Sequence, residues 1–131
     1  MRRIRIEDIE MEFYYSDTDK DVLIIKADGG LNSDNADQFV DELAALIDAG
    51  QSKIVVDCSR LDTITSYGLG VLIRLHTKLA KIGGDVKLAC VKGVIEKVFK
   101  ITHLNKIFEM YPDVSRACLM FRPKDAERKK E

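Results

Sequence analysis

The order of apolar runs predicts an α/β protein built on a single mixed sheet of about five strands. The first strand is antiparallel, and about four helices pack mostly on one side. Three observations carry this reading. Ile9, Met11, Phe13 and Tyr15 alternate with Glu10, Glu12 and Tyr14, the period of a strand covered on one face. Ile54, Val55 and Val56 are consecutive β-branched residues, which suits a strand buried on both faces. Around and after them, strand-like and helix-like spacings alternate along the chain. The periodicities alone leave other small α/β folds open.

In chain order, the polar cluster Ser16–Asp21 separates the strand Ile9–Tyr15 from a more buried one at Val22–Ile25, which makes an antiparallel hairpin. Asp28–Ser33 reads as a permissive loop in which Asn32 or Ser33 caps a helix bearing Ala36, Phe39, Val40, Leu43 and Ile47, with Gly50 ending it. Because a helix joins them, Lys53–Asp57 is expected to run parallel to Val22–Ala27 through a right-handed crossover, with Asp57 marking the end of the strand and a loop following.

From Leu69 onward Leu72, Ile73, His76, Leu79 and Ala80 recur at helical spacing, with Arg74, Lys78 and Lys81 on the other side and Gly83-Gly84 stopping the run. Val86, Leu88 and Cys90 alternate with Lys87 and Ala89 as a further strand, and Val94, Ile95, Val98 and Phe99 mark the packed side of a short helix. Ile107, Phe108 and Met110 suggest a last short strand. Pro112-Asp113 then opens a helix carrying Val114, Ala117, Cys118 and Phe121.

A chain of 131 residues fits one domain over 1–131 with a core sufficient for folding, and residues 124–131 (KDAERKKE) read as a flexible, solvated tail. A net charge of −1 gives no general attraction to nucleic acid or an anionic membrane. The basic start Met1–Arg5 is followed by Ile6-Glu7-Asp8 rather than an apolar run, so neither a signal peptide nor a membrane span is expected and a cytoplasmic location is. Cys58, Cys90 and Cys118 are odd in number and embedded in apolar segments, as buried thiols in a reducing compartment are. His76 and His103 lack ligands at metal spacing, and no metal or cofactor is assigned.

The chemistry concentrates at Thr65-Ser66-Tyr67-Gly68-Leu69-Gly70, between the buried strand and the central helix. Ser66 stands at the helix start. As N-cap its hydroxyl would accept from the N–H of Gly68 or Leu69, and the same helix end suits a phosphate through its bare donors and partial positive charge. An ordinary cap is the competing reading.

The run from Ile54 through Val91 resembles the STAS domain of bacterial anti-anti-sigma factors. That signature is a buried strand ending near an Asp, a short loop, an Asp or Ser, a phosphorylatable Ser, a small or hydroxylated residue, and Gly-Leu-Gly opening a helix. The resemblance covers roughly Glu10 to Phe121 and implies the same mixed sheet. It places Ser66 on the phosphoacceptor and Gly68-Leu69-Gly70 on the Gly-Leu-Gly. Three positions depart from it: Thr65 stands for a frequent Asp, Tyr67 is bulkier than the usual residue, and Asn32 replaces the Asp of a neighbouring Gly-x-Leu-Asp loop. The function implied is that of an anti-sigma factor antagonist, not an enzyme. The resemblance further implies that the chain binds an anti-sigma serine/threonine kinase through Asn32, Ser33, Thr65, Tyr67, Gly68, Leu69 and Arg74, and that phosphorylation of Ser66 switches it off. The resemblance leaves the oligomeric state open.

Other classes fit less well. A structural STAS subunit of a larger signalling assembly would use the same surface without a switch. A receiver with Asp57 as acceptor needs an acidic pair and a late Lys to hold a metal and neutralise phosphate; Asp28 is alone, and Met110-Tyr111-Pro112 stands where that Lys would be. A nucleophile elbow needs a Gly at Ile64, and a dinucleotide fingerprint needs a third Gly after Gly70.

Overall fold

The computed structural model describes residues 2–121, so the expected tail at 124–131 lies outside the described residues. Six strands form one sheet in sequential order: β1 Arg2–Ile6, β2 Ile9–Tyr15, β3 Val22–Leu31, β4 Lys53–Ile64, β5 Asp85–Ala89 and β6 Met110–Tyr111. The pairs β1–β2 and β2–β3 are antiparallel, whereas β3–β4, β4–β5 and β5–β6 are parallel. Four helices intervene or follow, α1 Ala36–Asp48, α2 Ser66–Ala80, α3 Gly93–Ile101 and α4 Val114–Leu119, with a single 3-10 turn at Leu104–Lys106.

Parallel neighbours joined in sequence by right-handed crossovers place α1, α2 and α3 on one face of the sheet. The main core lies there. Phe39 and Leu43 of α1, Leu72 and Leu75 of α2 and Phe99 of α3 meet Ile25, Ile54, Val56 and Leu88 of the strands. Alternate strand residues Val22, Ile24, Val55 and Ala89 point to the other face, where Ala117, Cys118 and Phe121 cover them. Ile54, Val55, Val56, Leu72 and Leu88 are therefore all buried, as the apolar patterns require. Cys58 and Cys118 are buried, and burial pushes the Cys58 thiol far above its ordinary pKa.

Several boundaries differ from the sequence expectation. The basic start is a sixth strand: β1 pairs with β2 from Arg2↔Phe13 to Ile6↔Ile9, and Arg3 and Arg5 reach Glu10 and Glu12. Backbone pairing with β2, together with Ile6 buried in the main core and Ile4 packed against it, holds this strand, and the exposed charge pairs add little. Asp28–Leu31 is not a loop but the end of β3, and β4 passes Asp57 to reach Ile64 because those residues pair with it, from Asp28↔Arg60 to Leu31↔Ile64. Their polar side chains face outward and read as loop. Gly29, at φ 119°, gives β3 room beside the β1–β2 turn, where a Cβ would run into the carbonyl of Asp8. The stripe of α2 is centred on Gly68, Val71, Leu72, Leu75 and Leu79, which leaves Ala80 exposed. The last strand is Met110–Tyr111, with Phe108 in the core before it.

Candidate functional site

The site is built where the β3–β4 ribbon ends. Leu31 and Ile64 are paired, and the next N–H, that of Thr65, donates to the Leu31 carbonyl at 3.0 Å. The chain then turns at once into α2. Thr65, extended at φ −90° and ψ 169°, is the N-cap: its hydroxyl accepts from Gly68 N–H at 3.2 Å, and its carbonyl accepts from Leu69 N–H at 2.9 Å. The capping role expected of Ser66 thus falls one residue earlier, because the cap must have extended backbone and Ser66 is already the first helical residue.

That shift releases Ser66. Its side chain is exposed and makes no hydrogen bond with another described residue, and the first-turn N–H groups of Ser66 and Tyr67 have no intrahelical carbonyl to bond. Ser66, Tyr67, Gly70, Val71 and Arg74 line a shallow depression of ≈ 340 Å³. A roomier depression of ≈ 490 Å³, beside Tyr15, Lys20, Gly50 and Lys53, lies at the opposite ends of β3 and β4, away from these groups. Volume therefore does not mark the site.

Gly68 and Leu69, expected on the partner surface, face inward instead. Leu69 is 6% exposed within the main core. Gly68 is buried against β3, where an added Cβ would lie 2.7 Å from the Leu31 carbonyl oxygen. Their role is to let α2 start hard against the ribbon.

Asn32 and Ser33 do reach the surface beside Thr65, on the turn between β3 and α1. Neither caps α1; Asn35 occupies that position. Asn35 is buried at 1% exposure, donates to the Gly30 carbonyl at 2.8 Å and accepts from Asn32 N–H at 3.0 Å. This buried amide fastens the turn, and its sequence signal was no more than an Asn before a helical run. Asn32 itself donates to the Asp8 carboxylate at 3.2 Å.

A second carboxylate arrives from α1. Asp37 accepts from the Tyr67 hydroxyl, with both oxygens at 2.7 Å, and from an Arg74 guanidinium nitrogen at 3.0 Å. The Tyr67 hydroxyl and the Arg74 guanidinium hold the Asp37 carboxyl below its ordinary range, and the same hydrogen bond to Asp37 raises the Tyr67 phenol. Tyr67 and Arg74 are thus both on the surface, as expected, and engaged with a residue the sequence did not single out. Carboxylates from two other elements, Asp8 between β1 and β2 and Asp37 of α1, thus contact Asn32 and Tyr67 at this surface.

Asp57 is only 7% exposed, lies inside β4 and accepts from Ser59 N–H at 3.0 Å. It is not at an open strand end, which overturns the receiver reading.

The parallel β3–β4 ribbon thus runs directly into α2, whose first residue bears an open hydroxyl. Residues 15–117 match the STAS domain, and the chain belongs to that family. Among its relatives is BtrV of Bordetella bronchiseptica, provisionally named an anti-sigma factor antagonist, which is 35% identical over 101 residues, 77% of this chain and 87% of that one. A crystal structure from Thermotoga maritima, given the same provisional description, superposes with a TM-score of 0.77 at 26% identity, covering 86% of this chain and 95% of that one. The phosphorylated form of the Bacillus cell fate determinant SpoIIAA shares the fold, with a TM-score of 0.65 at 20% identity over 85% of this chain and all of that one. Among the described residues no helix is long and apolar enough to cross a membrane.

Proposed function

We propose that this protein is an anti-sigma factor antagonist, a cytoplasmic binding module rather than an enzyme, whose partner is an anti-sigma factor serine/threonine kinase. The unmodified surface around Ser66 binds the partner; phosphorylation of Ser66 dismisses it. The observation that carries this reading is the open Ser66 hydroxyl, free of any capping duty, at the first turn of α2. In the transfer step the Ser66 oxygen bonds to the γ-phosphorus of the kinase's ATP, ADP leaves, and the hydroxyl proton passes to a base of the kinase. Asn32, Ser33, Thr65, Tyr67 and Arg74 form the surrounding contact surface. The names of BtrV and of the Thermotoga relative support the antagonist role.

The energetics favour dissociation without refolding. A phosphoserine adds about −1.5 to −2 charge at pH 7, and a helix N-terminus tolerates it. At a closed interface the same charge is desolvated, and every ~1.4 kcal/mol of that penalty costs tenfold in affinity. The test compares partner affinity and circular dichroism of the wild type, Ser66→Ala and Ser66→Asp. Ser66→Ala is expected to bind and to resist phosphorylation, and Ser66→Asp to bind weakly with an unchanged spectrum. Equal affinity of all three would contradict the switch and leave the surface as that of a structural STAS subunit.

A further inference from the structure

Tyr67 directly follows the acceptor, and Arg74 lies seven residues further along α2, yet both end on one carboxylate of α1. Their convergence requires the Arg74 side chain to run back toward the start of the helix, the direction in which helical side chains lean. Gly70 contributes no side chain between them, and an added Cβ there would meet no neighbour. Ser66, Tyr67 and Arg74 consequently border the same depression, with Asp37 holding the last two from outside it. The aromatic ring beside the acceptor is tied across to α1, and the Ser66 hydroxyl stays open.

Resting on the reading that Ser66 takes a phosphate, we propose that Asp37 is a positioning residue of the acceptor site and that the Asp37–Tyr67–Arg74 cluster senses the phosphate. In the unmodified protein Asp37 fixes the shape of the surface presented around Ser66. A phosphate on Ser66 gives Arg74 a second, more highly charged acceptor and sets a like charge near Asp37. The three side chains are exposed, with Asp37 and Arg74 at 60% and 61%, and exposed ion pairs are weak. A nearby dianion is therefore able to redistribute them while the buried helix face stays in place. Arg74 turns toward the phosphate, and Tyr67 loses its fixed acceptor. The partner then meets an altered contact surface as well as an added charge.

The test uses the full chain with phosphoserine installed at position 66 by genetic encoding, compared with the unmodified chain by NMR of the Tyr67 ring, the Arg74 Nε–H and the Asp37 carboxyl. Phosphoserine is expected to shift all three well beyond the spread of the strand amides. In Asp37→Asn and in Tyr67→Phe the Tyr67-position ring is expected to sit near its released position before any phosphate is added, and Asp37→Glu to restore the response. Unchanged side-chain signals on phosphorylation, or a full wild-type ring response in Asp37→Asn, would overturn the proposal. The two readings fail separately. Loss of partner binding by the phosphoserine protein with static side chains removes the sensor and keeps the switch, whereas moving side chains with undiminished partner binding remove the switch and keep the sensor.

Discussion

Two cation-centred clusters of similar composition sit in opposite surroundings. In the first, Arg74 and the Tyr67 hydroxyl meet Asp37 in open solvent between α1 and α2. In the second, Lys87 of β5 is 5% exposed, donates to Glu109 at 2.7 Å and Asp85 at 3.0 Å, and lies 4.7 Å from the centre of the Phe121 ring. Both join elements distant in sequence, but water divides their roles. A buried ammonium without a partner is costly, so the Lys87 cluster holds β5, β6 and the segment after α4 together. The exposed cluster contributes little to folding, and its geometry is free to respond to a new charge.

Six variants, taken from the largest expected effect to the smallest, probe this contrast and the packing around it. The largest effect is expected for Asp85→Asn combined with Glu109→Gln, which leaves Lys87 buried without a counter-charge. Chemical denaturation should show a loss on the order of 3 kcal/mol, at the lower end for a broken buried pair because Glu109 is half open to water. Lys87→Met, which removes the charge and keeps the packing, is expected to lose far less, and an equal loss would mean the pairing is incidental.

Next comes Gly68→Ala. Its Cβ would lie 2.7 Å from the Leu31 carbonyl oxygen, a backbone atom with little freedom, so a loss of about 1–3 kcal/mol is expected from the forced shift of α2. Gly70→Ala meets open space and is expected to stabilise by roughly 0.5–1 kcal/mol, since Ala is the better helix residue. A thermal melt of the pair measures the asymmetry directly.

A smaller effect concerns pH. Burial and its hydrogen bond to Glu109 push the Tyr111 phenol from 10.0 up to about 12. A folded-state pKa above the unfolded one means the folded chain holds its proton more tightly. That contribution is complete below pH 10 and is lost as pH rises from 10 through about 12. Urea midpoints across this window should fall more steeply for the wild type than for Tyr111→Phe. The smallest stability effect is expected for Tyr67→Ala, which should leave the melting temperature nearly unchanged while weakening partner binding; a large fall in melting temperature with full affinity in the folded fraction would place Tyr67 in the fold's support.

The apolar framework was legible in the sequence because periodicity reports burial. Ile54–Val56, the alternation from Ile9 to Tyr15 and the helical spacing of Phe39, Leu43 and Ile47 each led to the correct element. Elements sustained by pairing rather than apolar content were not legible. β1 is a mostly basic run paired to β2 with only Ile6 buried, and the β3–β4 ribbon beyond Asp57 bears outward polar residues and two register shifts that resemble a loop. At the site, the Gly-Leu-Gly motif led to the start of α2, where Ser66 is the first helical residue. The division of labour between Thr65 and Ser66 depends on backbone angles at one residue, and Asp37 is adjacent only because α1 and α2 pack side by side. Neither follows from spacing along the chain.

In the proposed mechanism the Ser66 hydroxyl is the switch and the fold beneath it is a rigid support. Its most direct measurement is isothermal titration of the proposed partner kinase with the unmodified chain and with the chain carrying phosphoserine at position 66, accompanied by an amide spectrum of each free protein. The phosphoserine form is expected to bind with an affinity lower by about a hundredfold or more, equivalent to roughly 3 kcal/mol, with strand amides unmoved. Equal affinities, or a phosphoserine form whose strand amides are displaced throughout the sheet, would contradict it.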